Sequence, residues 1–314
     1  MAGNLSNPTF TFHLKIAKFD IHPKAIYPVF LAGALIYVFS VVCNGIILGL
    51  IITQRSLHKP MFYILFSLPL TDLIGITGGL PRVLVGILTE TNYVYYPTCV
   101  LQAFLLHLYA DSIPFLLAAM SVDWYIAICN PLRYNSIMTP CKICGIIVLA
   151  WGLDFVLILV LFSLQSRMVK CKSFITNVYC DNPSLLLLSC GGDWTVNNIY
   201  GLFITAFMQM SSISIQLFSY TQILITCIKE THALNTCIAQ IATFFLFETV
   251  TTIAIMSFQI PSISSNAQKI CGLMIYTVLP TVNPVQGHIR IAFFLDLKKH
   301  KVNPGKNTSA KNRK

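Results

Sequence analysis

Asp72, Asp111, Asp154 and Glu248, together with His107, stand inside long runs of sequence that otherwise carry little charge. An ionisable side chain in an apolar helix is costly, so it faces a cavity, a partner or a functional site. His107 and Asp111 are four residues apart, which places them on one face of a helix. With Glu248 they offer an imidazole and two carboxylates, a set suited to a cationic or hydrogen-bonding ligand. A plainer alternative pairs His107 with Asp111 and leaves Glu248 protonated against a neighbouring helix. Asp154 has no partner that the sequence identifies. These scattered groups form neither a nucleophile with its base nor a metal cluster, so no enzyme is expected. Cys141-Lys142-Ile143-Cys144 has the spacing of a metal or redox motif, but no second Cys or His pair accompanies it, and no metal centre is expected.

The elements that must position these groups follow from hydropathy. The chain is 55% apolar and 10% charged. A bilayer core of about 30 Å needs roughly 20 apolar helical residues per crossing, and unpaired backbone cannot lie in lipid, so each apolar run must be a helix. The runs fall at about Tyr27–Ile52, Phe62–Leu88, Cys99–Ile128, Ile143–Leu164, Val196–Ile228, Ala233–Ile260 and Ile270–Gly287. The fold expected is an all-α membrane protein, a seven-transmembrane helix bundle with its termini on opposite sides. It divides into an outer segment 1–26, a bundle 27–290 and a basic tail 291–314.

The net charge of +10 does not point to nucleic acid, because much of it lies after Ile289: Arg290, Lys298, Lys299, Lys301, Lys306, Lys311, Arg313 and Lys314 against Asp296. Basic residues directly after a membrane helix set topology and face anionic cytoplasmic lipid, so the tail is placed inside and the N-terminus outside. Asn4-Leu5-Ser6 is an N-glycosylation acceptor near that outer terminus, whereas Asn7 is blocked by Pro8 and Asn307 falls on the inner side. No cleaved signal sequence is read, so the first span directs insertion. Cys99, Cys171, Cys180 and Cys190 gather on the outer, oxidising face. They allow two disulfides in any of three pairings.

Several motifs then resemble one family. Asn44 in Cys-Asn-Gly, Leu57-His58-Lys59-Pro60-Met61-Phe62-Tyr63, Asp72, the run from Met120 through Asp123-Trp124-Tyr125 to Pro131-Leu132-Arg133-Tyr134, Ser219-Tyr220, Thr236-Cys237 and Pro280-Thr281-Val282-Asn283-Pro284 are similar to odorant receptors of the rhodopsin-like G protein-coupled class. They occur in family order between about Ser6 and Arg290. Tyr179-Cys180-Asp181-Asn182 and the stretch from Val196 to Gly201 resemble the fish-type branch. The resemblance implies disulfides Cys99–Cys180 and Cys171–Cys190, and a small odorant bound in the outer half of the bundle; the two carboxylates and the imidazole themselves point to an amine or amino acid. By family position Ile204, Thr205, Met208 and Tyr276 line that pocket with His107, Asp111 and Glu248, the last standing where the family usually has Tyr. It implies a sodium-site role for Asn44, Asp72 and Asn283, with Na+ as the one expected ion and no other cofactor. Asp123, Trp124, Tyr125 and Tyr220 would face a stimulatory, olfactory-type heterotrimeric G protein. The implied location is the plasma membrane of olfactory sensory neuron cilia.

Three further departures fall on the inner side. Trp124 replaces the arginine of Asp-Arg-Tyr, Asn283-Pro284-Val285-Gln286-Gly287 lacks the motif's final tyrosine, and the inner loop before the sixth span shrinks to Lys229-Glu230-Thr231-His232. Weakened coupling, or a signalling-silent receptor relic, is the expectation those residues carry. A solute transporter would show paired, Gly/Pro-broken spans in two repeated halves, and a channel a filter-like loop; the sequence offers neither.

Overall fold

The computed structural model describes residues 10–89, 92–190, 194–227, 242, 245–246, 248–254, 256–257 and 262–302. Proline opens the helices Pro60–Leu88, Tyr96–Cys129 and Pro140–Ser166, because its fixed φ suits the first turn and its missing N–H is one that turn leaves unpaired. Helix α1 (Ile26–Thr53) follows a short turn at Pro23–Ala25. α2 (Pro60–Leu88) starts on Pro60 after the extended Lys59, and α3 (Tyr96–Cys129) carries a proline in its first turn. A short α4 (Tyr134–Ile137) leads to α5 (Pro140–Ser166), whose cap is the Thr139 hydroxyl accepting from the Lys142 N–H. α6 (Asn182–Leu186), α7 (Thr195–Cys227) and α8 (Ser265–Val302) complete the named helices.

Among the described residues five helices are long and apolar enough to cross a membrane: α1 with its preceding turn, α2, α3, α5 and α7. They coincide with the first five expected crossings, extended by a few residues. The expected sixth crossing lies partly outside the described residues, and its stretch 248–254 is helical. The expected seventh lies in α8, which keeps its helix across Pro280 and Pro284 and runs on through the expected boundary at 290–291 to Val302. The start of the basic tail is therefore a continuation of that helix.

Two apolar clusters hold the helices together. One joins Phe62, Leu65 and Leu68 of α2 to Tyr109, Ile113 and Leu116 of α3 and to Tyr276 and Leu279 of α8. The other joins Cys99 and Leu108 of α3 to Ile158 and Leu161 of α5 and to Ile204 and Met208 of α7. The faces turned away from these clusters are also apolar: Leu35, Val42 and Ile46 on α1, Val148 and Leu149 on α5, Phe203 and Met210 on α7 are all exposed. Large apolar side chains along whole helices are stable outward only where the surrounding solvent is hydrocarbon.

The end of the bundle that carries the N-terminal segment is closed by a small sheet that the sequence does not announce. β1 (His13–Ile16) pairs antiparallel with β2 (Tyr93–Tyr95) and parallel with β3 (Phe174–Ile175), giving the order β2-β1-β3. Lys15 lies opposite both Tyr93 and Phe174, so the N-terminal segment is the central strand between two loops. Disulfides Cys99–Cys180 and Cys171–Cys190 are formed, with Cα separations of 5.4 and 5.5 Å, inside the range that a disulfide spans without backbone shift. They are the pairing that the resemblance implies.

Candidate ligand and coupling sites

One layer of the bundle holds two of the expected ligand residues, Asp111 and Glu248. Ser212 of α7 donates its hydroxyl to the Pro114 carbonyl of α3 at 2.8 Å. One turn outward from that contact, Gln209 of α7 and Asp111 of α3 therefore stand at the same height. Gln209 Nε2 donates to Glu248 Oε2 at 3.0 Å, which brings the sixth-span carboxylate to this layer. Across α3, the Phe104 ring packs edge-on against Phe155 and Phe162 of α5 at 5.7 and 5.5 Å, and His107 against Phe162 at 5.7 Å.

His107 does not pair with Asp111. Its Nδ1 bonds instead to the Ala103 carbonyl at 2.9 Å, and the two side chains remain only within electrostatic reach of each other. The one-turn spacing that puts them on one face also lets the imidazole bond back to its own helix. Tyr276 of α8 is buried between two other rings, Tyr179 of the outer loop at 5.6 Å and Tyr109 of α3 at 5.8 Å. Ile204 and Met208 are buried in the apolar cluster beside this layer, and Thr205 donates its hydroxyl to Gly201 of its own helix at 3.0 Å. The structure thus brings Asp111 and Glu248 to one layer, with His107 and Tyr276 each within electrostatic reach of Asp111, while Ile204 and Met208 sit in the cluster that joins α3, α5 and α7. Gln209 and Tyr179, which partner Glu248 and cover Tyr276, carry no signal in the sequence beyond being polar or aromatic.

The long outer loop is tied down over that interior. The Cys180 N–H donates to Gln102 Oε1 at 3.1 Å, and Gln102 Nε2 donates to the Gly78 carbonyl at 2.8 Å. Asp181 caps α6 by accepting from the Ser184 N–H at 2.9 Å, and Asn182 reaches Asn197 of α7 at 2.8 Å. Burial raises the Tyr179 phenol well above its ordinary range. Beside Cys171, Lys170 donates to the Gln165 carbonyl and to the Ser189 hydroxyl, each at 3.2 Å; burial lowers its ammonium to about 8. A cleft of about 350 Å³ opens elsewhere, between Lys18, Phe19 and Ile21 and the ends of α1 and α2, and it does not include the ionisable layer.

Deeper in the bundle, Asn283 Nδ2 donates to both oxygens of Asp72 at 3.0 and 3.1 Å, and the Tyr109 hydroxyl lies 3.5 Å from the same carboxylate. The Asn44 amide makes its hydrogen bonds to Ser40 and Pro280 and none to Asp72. It donates to the Pro280 carbonyl at 2.9 Å, so α1, α2 and α8 are tied through two separate contacts rather than one shared knot. The Oδ1 atoms of Asn44 and Asn283 are buried with no hydrogen-bond partner among the described residues.

At the opposite end of the bundle from the sheet, Tyr134 donates its hydroxyl to Asp123 Oδ1 at 2.8 Å, and burial followed by that carboxylate raises the phenol above its ordinary range. Trp124 is 4% exposed, Tyr125 packs edge-on against Phe218 at 5.8 Å, and Tyr220 is buried. Cys141 and Cys144 are free and exposed at the start of α5. Among the described residues no group of three or more His, Cys, Asp or Glu is placed to hold a metal ion. Asn4 and Thr236-Cys237 lie outside the described residues.

Comparison with known proteins shows which family the chain resembles. The family model described as olfactory receptor matches residues 33–299. Olfactory receptor 1M1 of Mus musculus is 32% identical over 273 residues, covering 84% of this chain and 85% of that protein. Olfactory receptor 13A1 of Homo sapiens is 30% identical over 291 residues, covering 90% and 87%. Olfactory receptor 8D1 of Homo sapiens is 34% identical over 267 residues, covering 82% and 85%. Together with five apolar helices of membrane-crossing length and two disulfides on the outer loop, these matches identify a multi-pass plasma-membrane receptor and not an enzyme: the chain belongs to the olfactory receptor family.

Proposed function

We propose that this chain is an odorant-sensing G protein-coupled receptor, a seven-helix bundle with its N-terminus outside and its tail in the cytoplasm, working in olfactory sensory neuron cilia. The ligand is a small amine or amino acid held in the outer half by His107, Asp111, Glu248 and Tyr276, with Ile204, Thr205 and Met208 as the wall. The observation that carries this reading is the ionisable layer itself: an imidazole and two carboxylates inside apolar helices, beneath a loop tied by disulfides. Such groups are retained at the cost of burial where they meet a partner. A ligand that fits one helix arrangement better than another shifts the population by that difference in affinity, and the inner ends then move to admit a G protein helix.

Asp123, Trp124, Tyr125 and Tyr220 form the coupling face toward a stimulatory, olfactory-type G protein. Na+ at Asp72 would be held by that carboxylate with the amide oxygens of Asn44 and Asn283, which are buried oxygen donors of the type a hard cation takes. Sodium titration of ligand affinity tests this, and identical titrations for the original chain and Asp72→Asn would reject it.

The test of the main reading is a screen of amines, amino acids and organic acids on cells carrying the receptor, read as cyclic AMP. Asp111→Asn and Glu248→Gln are each expected to raise the amine concentration needed about tenfold or more, as loss of a charged hydrogen bond of about 1.5–3 kcal/mol would. Uptake of a labelled solute without any cyclic AMP response would instead favour a transporter. Trp124 in place of arginine supports a second reading, a receptor that binds its odorant and signals poorly, and output that matches an arginine-restored chain would remove it.

A further inference from the structure

Asp154 is the ionisable group that neither the ligand layer nor the coupling face uses. It lies mid-way along α5, fully buried, and both its carboxylate oxygens have no hydrogen-bond partner among the described residues. A buried carboxylate in that condition forgoes water without receiving donors in return, which marks it as a site awaiting one.

Its height in the bundle follows from the ring contacts already described. Phe104 packs between Phe155 and Phe162, so its position on α3 is level with the α5 residues midway between them. α3 and α5 are successive crossings and run antiparallel. Moving from Phe104 to Asp111, about 10 Å along α3, thus moves back by the same rise along α5, to within a turn of Asp154. The two carboxylates are within electrostatic reach of each other. On the other side of Asp111, the Ser212–Pro114 contact places Gln209 and its partner Glu248 in the same layer, and Glu248 Oε1 has no hydrogen-bond partner among the described residues. Three carboxylates, on α5, α3 and the sixth span, therefore share one layer, and His107 stands one turn of α3 from Asp111. Neighbouring helices lie about 8–10 Å apart, so one ammonium group cannot reach both Asp154 and Glu248.

We propose that this layer binds ligands with two ammonium groups, one held between Asp154 and Asp111 and the other at Glu248, so that the receptor is selective for linear aliphatic diamines over monoamines. The inference rests on the amine reading given above and adds Asp154 as the residue that sets the preference for a second charge. A diamine supplies donors both to the Asp154 oxygens and to Glu248 Oε1, which have no hydrogen-bond partner among the described residues, whereas a monoamine leaves one of the two ends unsatisfied.

The experiment compares linear alkyl diamines from diaminopropane to diaminooctane with monoamines of equal length, on cells bearing the full chain, with surface receptor measured in parallel. Diamines of intermediate length are expected to act at concentrations about tenfold or more below the matching monoamines, the effect of one charge-assisted hydrogen bond. In Asp154→Asn that potency ratio should fall toward one; a ratio is insensitive to how much receptor reaches the surface. Asp154→Glu, which keeps the charge, should retain a diamine preference with its best chain length shifted. An unchanged ratio in Asp154→Asn overturns the assignment of Asp154 while leaving the amine reading standing. If neither series raises cyclic AMP above that of other odorant classes at confirmed surface expression, the amine reading itself fails. Loss of every response in both Asp154 variants at normal surface level would make the residue structural and overturn the proposal.

Discussion

Gly75 is where a single methyl group should do the most damage at the least change in chemistry. A Cβ built there would stand 2.4 Å from both Cγ and Cδ2 of the Tyr109 ring and 2.7 Å from Cε2. Ordinary carbon contacts begin near 3.5 Å, so the ring must withdraw by roughly 1 Å. It has little room to do so, because Tyr109 is fully buried between α2 and α8 against Tyr276. The same shift pulls its hydroxyl from Asp72 and from the Ile275 carbonyl, contacts that are already long at 3.5 and 3.4 Å. Overpacking of a close-fitted core costs about 1–3 kcal/mol, and the two weak hydrogen bonds add about 1 kcal/mol, so Gly75→Ala should destabilise by about 2–4 kcal/mol. Thermal unfolding of the detergent-solubilised receptor measures this directly. A double-mutant cycle with Tyr109→Leu, which removes the clashing ring, should show a coupling of at least about 1 kcal/mol. A Gly75→Ala change within about 0.5 kcal/mol, or strictly additive effects in the cycle, would refute the reasoning.

Three further outcomes are expected. The disulfides close segments with separations of 81 and 19 residues, which the chain-entropy relation converts to about 4.5 and about 3.2 kcal/mol, so Cys99→Ser should lose more surface expression than Cys171→Ser; four free thiols by mass mapping, or the reverse order, would contradict this. Because burial lowers Lys170 to about 8 in the folded loop while an unfolded lysine titrates near 10.4, the unfolded chain holds more protons between those values. Stability of the solubilised receptor should therefore gain with rising pH across that window, and Lys170→Gln should remove that component; superimposable pH profiles for the two chains would count against it. Trp124→Arg should raise cyclic AMP output at equal surface expression, since an indole has one donor and no charge where a guanidinium offers five donors, and equal output with ligand binding intact in both would show that the indole is tolerated.

The solvent of this protein was written in the sequence, because hydropathy is a local, additive property: twenty apolar residues in a row are apolar whatever they pack against, and α1, α2, α3, α5 and α7 coincide with the runs that predict them. The cysteines and the family motifs were equally legible, since they depend on residue type and order. The sheet was not. β1 is four residues long, and its two partners come from loops about eighty and one hundred and sixty residues away, so no local pattern marks it. Helical periodicity placed His107 and Asp111 on one face but could not say that the imidazole bonds back to Ala103, because the side-chain rotamer depends on what packs around it, here Phe162 of α5. The same holds for Asn44, which shares its region with Asp72 yet bonds to Pro280. Above all, the layer of Asp111, Asp154 and Glu248 depends on which turn of each helix meets which turn of the next. That register is set by contacts such as Ser212 with Pro114 and Phe104 with Phe162, between residues far apart in the chain, and only the folded bundle decides it.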